Sequence, residues 1–211
     1  MPSLEVLAAF TVASLLMNLS PGPSNLYVAS RSIAQGPSAG YVAAAGLAFG
    51  SLVHVVAATL GIAALFAYSP YAYTVLKLLG ACYLIYLGVK YWRSSEVSAD
   101  VATLGKNNYG QIFRQSVWVE VTNPKTALFF VAFLPQFTDP GAGALMPQFL
   151  LLGSIVTLTA IPCDIAVSYG SHRAATWVID HPNAQLIQNR LSGTILLGLS
   201  AFIIAEEVTA Q

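Results

Sequence analysis

The stretch SIAQGPSAGYVAAAGLAFGSLVHVVAATLGIAALFAYSPYAYTVL, residues 32–76, runs for 45 residues without one Asp, Glu, Lys or Arg. Its only interruption is His54. A helix in a water-soluble core does not need an uncharged run of that length, whereas a bilayer span needs about 20 apolar residues. The pattern continues on both sides. Residues 6–30 are uncharged over 25 positions, 140–163 over 24 and 191–205 over 15. The whole chain of 211 residues has nine basic and nine acidic side chains, 9% charged, and is 56% hydrophobic. Soluble domains carry about 25% charged residues. This chain has too little charge to cover a water-facing surface, which argues against a soluble enzyme, a disordered segment or a nucleic-acid binder.

Turn signals divide the apolar stretches into six candidate spans, at about 4–29, 40–67, 71–92, 113–137, 144–170 and 188–206. The fold expected is all-α: a polytopic membrane protein in one domain, 1–211. The first span is too long, too poor in basic residues and too broken by proline to be a cleaved signal peptide. The last is short, so Arg190 would have to snorkel or the bilayer thin. Residues 172–179 are expected to form either loop or a short interfacial helix with Trp177 toward lipid. Cys82 and Cys163 fall inside spans and are expected to be packing thiols, with no metal site.

With six spans, the odd-numbered loops share one side and hold Arg31, Lys90, Arg93, Lys106, Arg114, Arg173 and Arg190. That is seven of the nine basic residues, and the positive-inside rule makes their side cytoplasmic. Both termini then face outward. Three spans per half also start the second half on the opposite side from the first, giving a 3+3 inverted repeat with halves at about 4–92 and 112–208. Pro21 finds a counterpart in Pro124, and Gly80 in Gly193.

The two proline breaks carry the functional signal. Asn18-Leu19-Ser20-Pro21-Gly22-Pro23-Ser24-Asn25 puts two prolines, a glycine and four hydrogen-bonding side chains within a span; Thr122-Asn123-Pro124-Lys125-Thr126 adds a cation. Irregular backbone at membrane depth persists only where it is buried in protein or lines a wet cavity, and paired interrupted helices point to a transport site near the midplane. Helix N-termini just past the breaks attract a carboxylate. The candidate substrate-binding residues are therefore Asn18, Pro21, Gly22, Pro23, Ser24, Asn25, Asn123, Pro124, Lys125 and Asp164.

Ionisable side chains within spans are costly and default to function. Asp164, deep in the fifth span, is the candidate to carry a proton or bind an ammonium group. Lys125 could meet a substrate carboxylate, or the two could form a structural ion pair. His54 could relay protons or simply hydrogen-bond a carbonyl. Lys77 lies near the outer end of its span, where snorkelling competes with a coupling role. Glu120 reads as a local cap or pair. The glycines at 36, 40, 46 and 50 read as close-packing positions.

At these residues the chain resembles the LysE/RhtB family of small amino-acid exporters. The likeness rests on Ser20-Pro21-Gly22-Pro23, the glycines at 36, 40, 46 and 50, Leu78-Leu79-Gly80-Ala81-Cys82-Tyr83-Leu84-Ile85-Tyr86-Leu87-Gly88, Thr122-Asn123-Pro124-Lys125, Phe133-Leu134-Pro135-Gln136-Phe137 and Gly193 with Leu197-Gly198-Leu199. Ile179-Asp180-His181-Pro182 and Glu206-Glu207 depart from it. The resemblance implies a secondary exporter of an amino acid or similar metabolite, in exchange for protons, in the bacterial inner membrane. It also implies coupling roles for an aspartate like Asp164 and a lysine like Lys77. The partners expected are the small-molecule substrate, protons and membrane lipids, with no nucleic acid and no cofactor; a homo-oligomer is compatible with the pattern. Alternatives are a small-solute channel or an intramembrane enzyme, for which Ser51 and His54 are the one conceivable pair.

Overall fold

The computed structural model describes residues 1–20, 22–62, 64, 65, 69–93, 105–180 and 182–209, with side chains except at 70, 72, 73, 76, 77, 172–180, 182–185, 188, 192, 206, 207 and 209. Every regular element among them is helical. Helix α1 (Leu4–Leu19) starts at Ser3, whose Oγ accepts from Val6 N at 3.3 Å, and carries Glu5 in its first turn, where the helix dipole favours an acid. Ser20 leaves the helix in extended geometry and Gly22 is extended too. Pro23 then opens α2 (Pro23–Gln35) as its first residue, a position whose N–H has no intrahelical partner to lose. The two helices meet at 53°. Gly36 turns the chain at φ +87°, a conformation that favours glycine, and Pro37 starts α3 (Pro37–Ala57), which continues through a π-helical turn at Ala58–Ile62.

After α4 (Pro70–Arg93) the second half repeats the device. Asn108 and Gln111 form a reciprocal capping box at the start of α5 (Tyr109–Val121). Asn123 caps α6 (Pro124–Leu128), its Oδ1 accepting from Lys125 N at 3.0 Å, again with proline as first residue. A π-helical turn at Phe129–Phe133 and a 3-10 turn at Leu134–Phe137 extend α6, and the break bends by 42°. Helix α7 (Leu145–Asp180) and α8 (Pro182–Thr209) complete the chain.

Two segments, Pro37–Ile62 and Leu145–Ser171, are long and apolar enough to cross a membrane alone, and each bent pair qualifies when taken as one span. The chain is an integral membrane protein. One expectation needs correction: residues 172–180 are neither loop nor a separate short helix but the continuation of α7. A polar sequence does not oblige a helical backbone to stop.

The halves are interleaved. Helix α1 packs on α7, α3 on α5, and α4 on α8. At the α3–α5 crossing the glycines act by close approach: a Cβ on Gly46 would lie 2.5 Å from Phe113 O, and one on Gly50 2.7 Å from Val117 O. Gly88 and Gly193 do the same between α4 and α8, where a Cβ on Gly193 would come within 2.6 Å of Gly88 O. The expected close packing holds at Gly40, Gly46 and Gly50 but not at Gly36, where a Cβ would meet nothing within 4 Å and the glycine instead supplies the positive φ of the turn.

The two ends of the bundle differ. At one, the Met1 ammonium donates to Ala142 O at 2.6 Å, and Phe10, Phe129, Phe133, Phe137 and Phe202 stack into an aromatic cluster with neighbouring centroids 4.8–6.4 Å apart. At the other, buried Arg31 donates to Tyr27 Oη at 3.2 Å, Gln115 Oε1 at 2.9 Å and Gly105 O at 3.4 Å. Gln35 and Asn107 exchange two hydrogen bonds beside it, at 2.8 and 2.9 Å.

Candidate functional site

Between these ends a small polar cavity, partly open to its surroundings, lies where the two breaks face each other. Met17, Asn18, Ser24 and Asn25 line it from the first break, Glu120, Asn123, Lys125 and Thr126 from the second, and Leu47, Ser51, Ala160 and Asp164 from α3 and α7. Of the sequence-predicted binding residues, Asn18, Ser24, Asn25, Asn123, Lys125 and Asp164 meet here. Gly22 sits against the site: a Cβ on it would lie 3.0 Å from Lys125 Nζ. Pro23 and Pro124 open α2 and α6 without lining the cavity. Pro21 and the side chain of Lys77 lie outside the described residues.

The breaks are joined by two crossed links. The first runs from α5 to α2. Ser24 Oγ donates to Glu120 Oε2, and Asn123 Nδ2 donates to Ser24 Oγ at 2.8 Å. A carboxylate thereby faces the first turn of α2, whose N-terminal N–H groups have no side-chain cap. The second link runs from α6 to α1. Lys125 Nζ donates to Met17 O at 3.2 Å and to Ser20 O, at the carbonyl end of α1. Glu120 and Lys125 thus each answer the opposite pole of an interrupted helix in the first half.

Neutral bonds steady the rest. Asn18 Nδ2 donates to Val156 O and to Thr159 Oγ1, both at 3.1 Å, and Asn25 Nδ2 to Asn18 O at 2.9 Å. Ser51 Oγ pairs with Thr157 Oγ1 at 2.8 Å. His54 Nε2 lies 2.9 Å from the backbone oxygen of Glu120 and its ring stacks on Phe130, so it takes the carbonyl-bonded arrangement and does not pair with Ser51.

Asp164 differs from its neighbours. It is 6% exposed and lines the cavity. Among the described residues its carboxylate has neither a hydrogen-bond nor an ion-pair partner, and Glu120 and Lys125 are the charges near enough to act on it. Its oxygens face the cavity, where a cation, a proton or a hydrogen-bonding ligand can reach them. Lys125 does not fill that role, because its ammonium is engaged on the carbonyls of α1.

Sequence reasoning missed Glu120 as a site residue. Read as a local cap or pair, it does accept from Asn123 Nδ2 at 3.4 Å, and it also bonds a serine 96 positions away. The available signal was its place one turn before the second break. Ser51 and Thr126 carried no comparable signal.

A membrane bundle built on two facing broken helices around a polar cavity has the make-up of a small-solute translocator. The chain belongs to the LysE type translocator family, whose pattern it matches over residues 15–207. It is 33% identical over 200 residues to the homoserine/homoserine lactone efflux protein of Salmonella typhimurium, covering 92% of this chain and 94% of that one. An uncharacterized membrane protein of Vibrio cholerae is 32% identical over 198 residues, at the same coverage of each chain. Bacillus subtilis YrhP, also an uncharacterized membrane protein, is 33% identical over 201 residues, with 91% and 95% covered. No solved structure gives a significant match.

Proposed function

We propose that the protein is a secondary exporter that moves an amino acid or a similarly small metabolite out of the bacterial cytoplasm in exchange for protons. The observation that carries this is the unpartnered, buried carboxylate of Asp164 in a polar cavity between two broken helices. A substrate ammonium group supplies the donor Asp164 lacks, and a proton does the same when the substrate has left, so the two compete for one carboxylate. The substrate's own carboxylate turns to the other side of the cavity, toward Lys125 and the first turn of α2 at Pro23, Ser24 and Asn25. Asn18 and Asn123 frame the space, with the backbone turned at Gly22 and Pro124; Pro21 remains a candidate from the sequence. His54, held on Glu120's backbone, and Lys77 are secondary candidates for moving protons. The efflux name of the Salmonella relative supports an amino-acid-like cargo.

The architecture proposed is six spans in a 3+3 inverted repeat within the inner membrane, both termini outside. Two observations support it: the crosswise packing of α1 on α7 and α3 on α5, and the matched proline-started bends of 53° and 42°. The contacts of Met1 with Ala142 and of Gln35 with Asn107 support the sidedness, since they gather the N-terminus with the fourth loop and the first loop with the third. The test is reconstitution in liposomes with an imposed pH gradient and a panel of labelled amino acids. Uptake or release of a substrate set that follows the gradient is expected. Fluxes indifferent to the gradient would remove proton exchange, and no flux of any amino acid would remove the cargo assignment.

A further inference from the structure

A helix that ends inside a membrane protein leaves its last carbonyls without intrahelical donors, and in transporters such carbonyl ends commonly hold a coupling cation. At the end of helix α1, Met17 O, which also accepts from Ser20 N at 3.2 Å, and the C-cap oxygen Ser20 O converge on one point. What stands at that point is Lys125 Nζ, 3.2 Å from Met17 O and hydrogen-bonded to Ser20 O, on a side chain only 3% exposed. No carboxylate touches this ammonium. Glu120 is bonded to Ser24, and Asp164 has no partner among the described residues. The positive charge is held by backbone oxygens alone, the ligand set of a small monovalent cation and not that of a salt bridge. Two further features fit such a cradle. Ser20 Oγ, on the residue whose carbonyl binds the ammonium, is buried without a hydrogen-bond partner. Gly22 leaves the ammonium its room, since any Cβ would stand 3.0 Å from Nζ.

We propose that Lys125 is a built-in cation: its ammonium fills a monovalent-cation cradle at the carbonyl end of α1, so that export proceeds without sodium or potassium. This rests, for the word export alone, on the transport reading above. Removing the ammonium leaves the oxygens in place and turns the cradle into a site for a free monovalent cation. A tethered cation also cannot be transported. It therefore holds the first break neutralised through the whole cycle and leaves Asp164 as the group that exchanges its partner.

The experiment compares purified wild-type protein with Lys125→Ala in thermal unfolding, in choline chloride and in sodium, potassium or methylammonium chloride at equal ionic strength. The wild type should melt at one temperature in all four salts. Lys125→Ala should melt lower in choline and recover by about 2–4 °C in methylammonium or an alkali cation, as mass action on a cation-binding folded state requires. A variant with one melting temperature in every salt overturns the proposal, and so does a wild type that sodium stabilises. If alanine gives no folded protein, Lys125→Gln carries the same comparison, because its amide retains a donor for one carbonyl. These readouts need no transport. An absence of flux in liposomes would count against the transport reading and leave the cradle standing, whereas sodium-dependent flux by the wild type would overturn the cradle and leave the transport reading standing.

Discussion

Replacing Glu120 with glutamine tests the crossed links most directly, because it keeps shape and volume while removing charge. Glu120 is 7% exposed, accepts from Ser24 Oγ, and faces the uncapped start of α2. A hydrogen bond to a charged group contributes about 1.5–3 kcal/mol and a neutral one about 0.5–1.5, so the exchange costs about 1–1.5 kcal/mol there. Loss of a partly buried carboxylate at a helix N-terminus adds up to about 2 kcal/mol. The sum, about 1–3.5 kcal/mol, corresponds to a fall in Tm of about 2–14 °C for a chain of this length. Thermal unfolding of the purified protein, followed by tryptophan fluorescence, measures it. The decisive control is a double-mutant cycle with Ser24→Ala. Since the two side chains share one bond, the paired change should be less damaging than the sum by about 1 kcal/mol or more. Additive single effects, or a Glu120→Gln protein as stable as wild type, would refute the view that this carboxylate compensates α2.

Asp164→Asn should leave the protein folded while abolishing gradient-driven flux in proteoliposomes, because asparagine offers neither a charge for an ammonium group nor a titrating proton; normal coupled flux would count against Asp164. Gly50→Ala drives a Cβ to 2.7 Å from Val117 O and 2.8 Å from Glu120 Cβ, so overpacking should cost about 1–3 kcal/mol in unfolding experiments. Gly61→Ala meets nothing within 4 Å and should cost little by the same measure. Arg31→Ala removes donors to Tyr27, Gln115 and Gly105 at one end of the bundle, and hydrogen exchange should quicken at residues 105–116 while the aromatic end stays protected.

Much of this architecture is legible in the sequence because hydropathy and proline report on strong, local physics. The uncharged stretches mark the apolar helices, and Pro23 and Pro124, as first residues, mark where helices restart. What escapes is of two kinds. Hydropathy reports the surroundings of a helix and not its length, so α7 runs on to Asp180 past polar residues expected to end it. Partners distant in sequence leave no trace in the residues themselves. Glu120 looks only local until the fold brings Ser24 beside it, and Lys125 looks unengaged until α1's carbonyls, which have no sequence signature, take two of its three donors. Asp164 was identifiable because depth in an apolar span alone makes a carboxylate conspicuous.

The crossed links also bear on how the chain is made. Lys125 reaches Ser20 across 105 positions and Glu120 reaches Ser24 across 96. When the first three helices leave the ribosome, the break between α1 and α2 therefore enters the lipid with both exposed helix poles uncompensated, and it stays so until α5 and α6 follow. The early half is an unfinished object that its own sequence cannot complete. It must be held by the insertion machinery or sheltered by water until the second half arrives. The first break is complete only once Glu120 and Lys125 are in place, so a chain truncated before residue 120 should be an early target for membrane proteolysis.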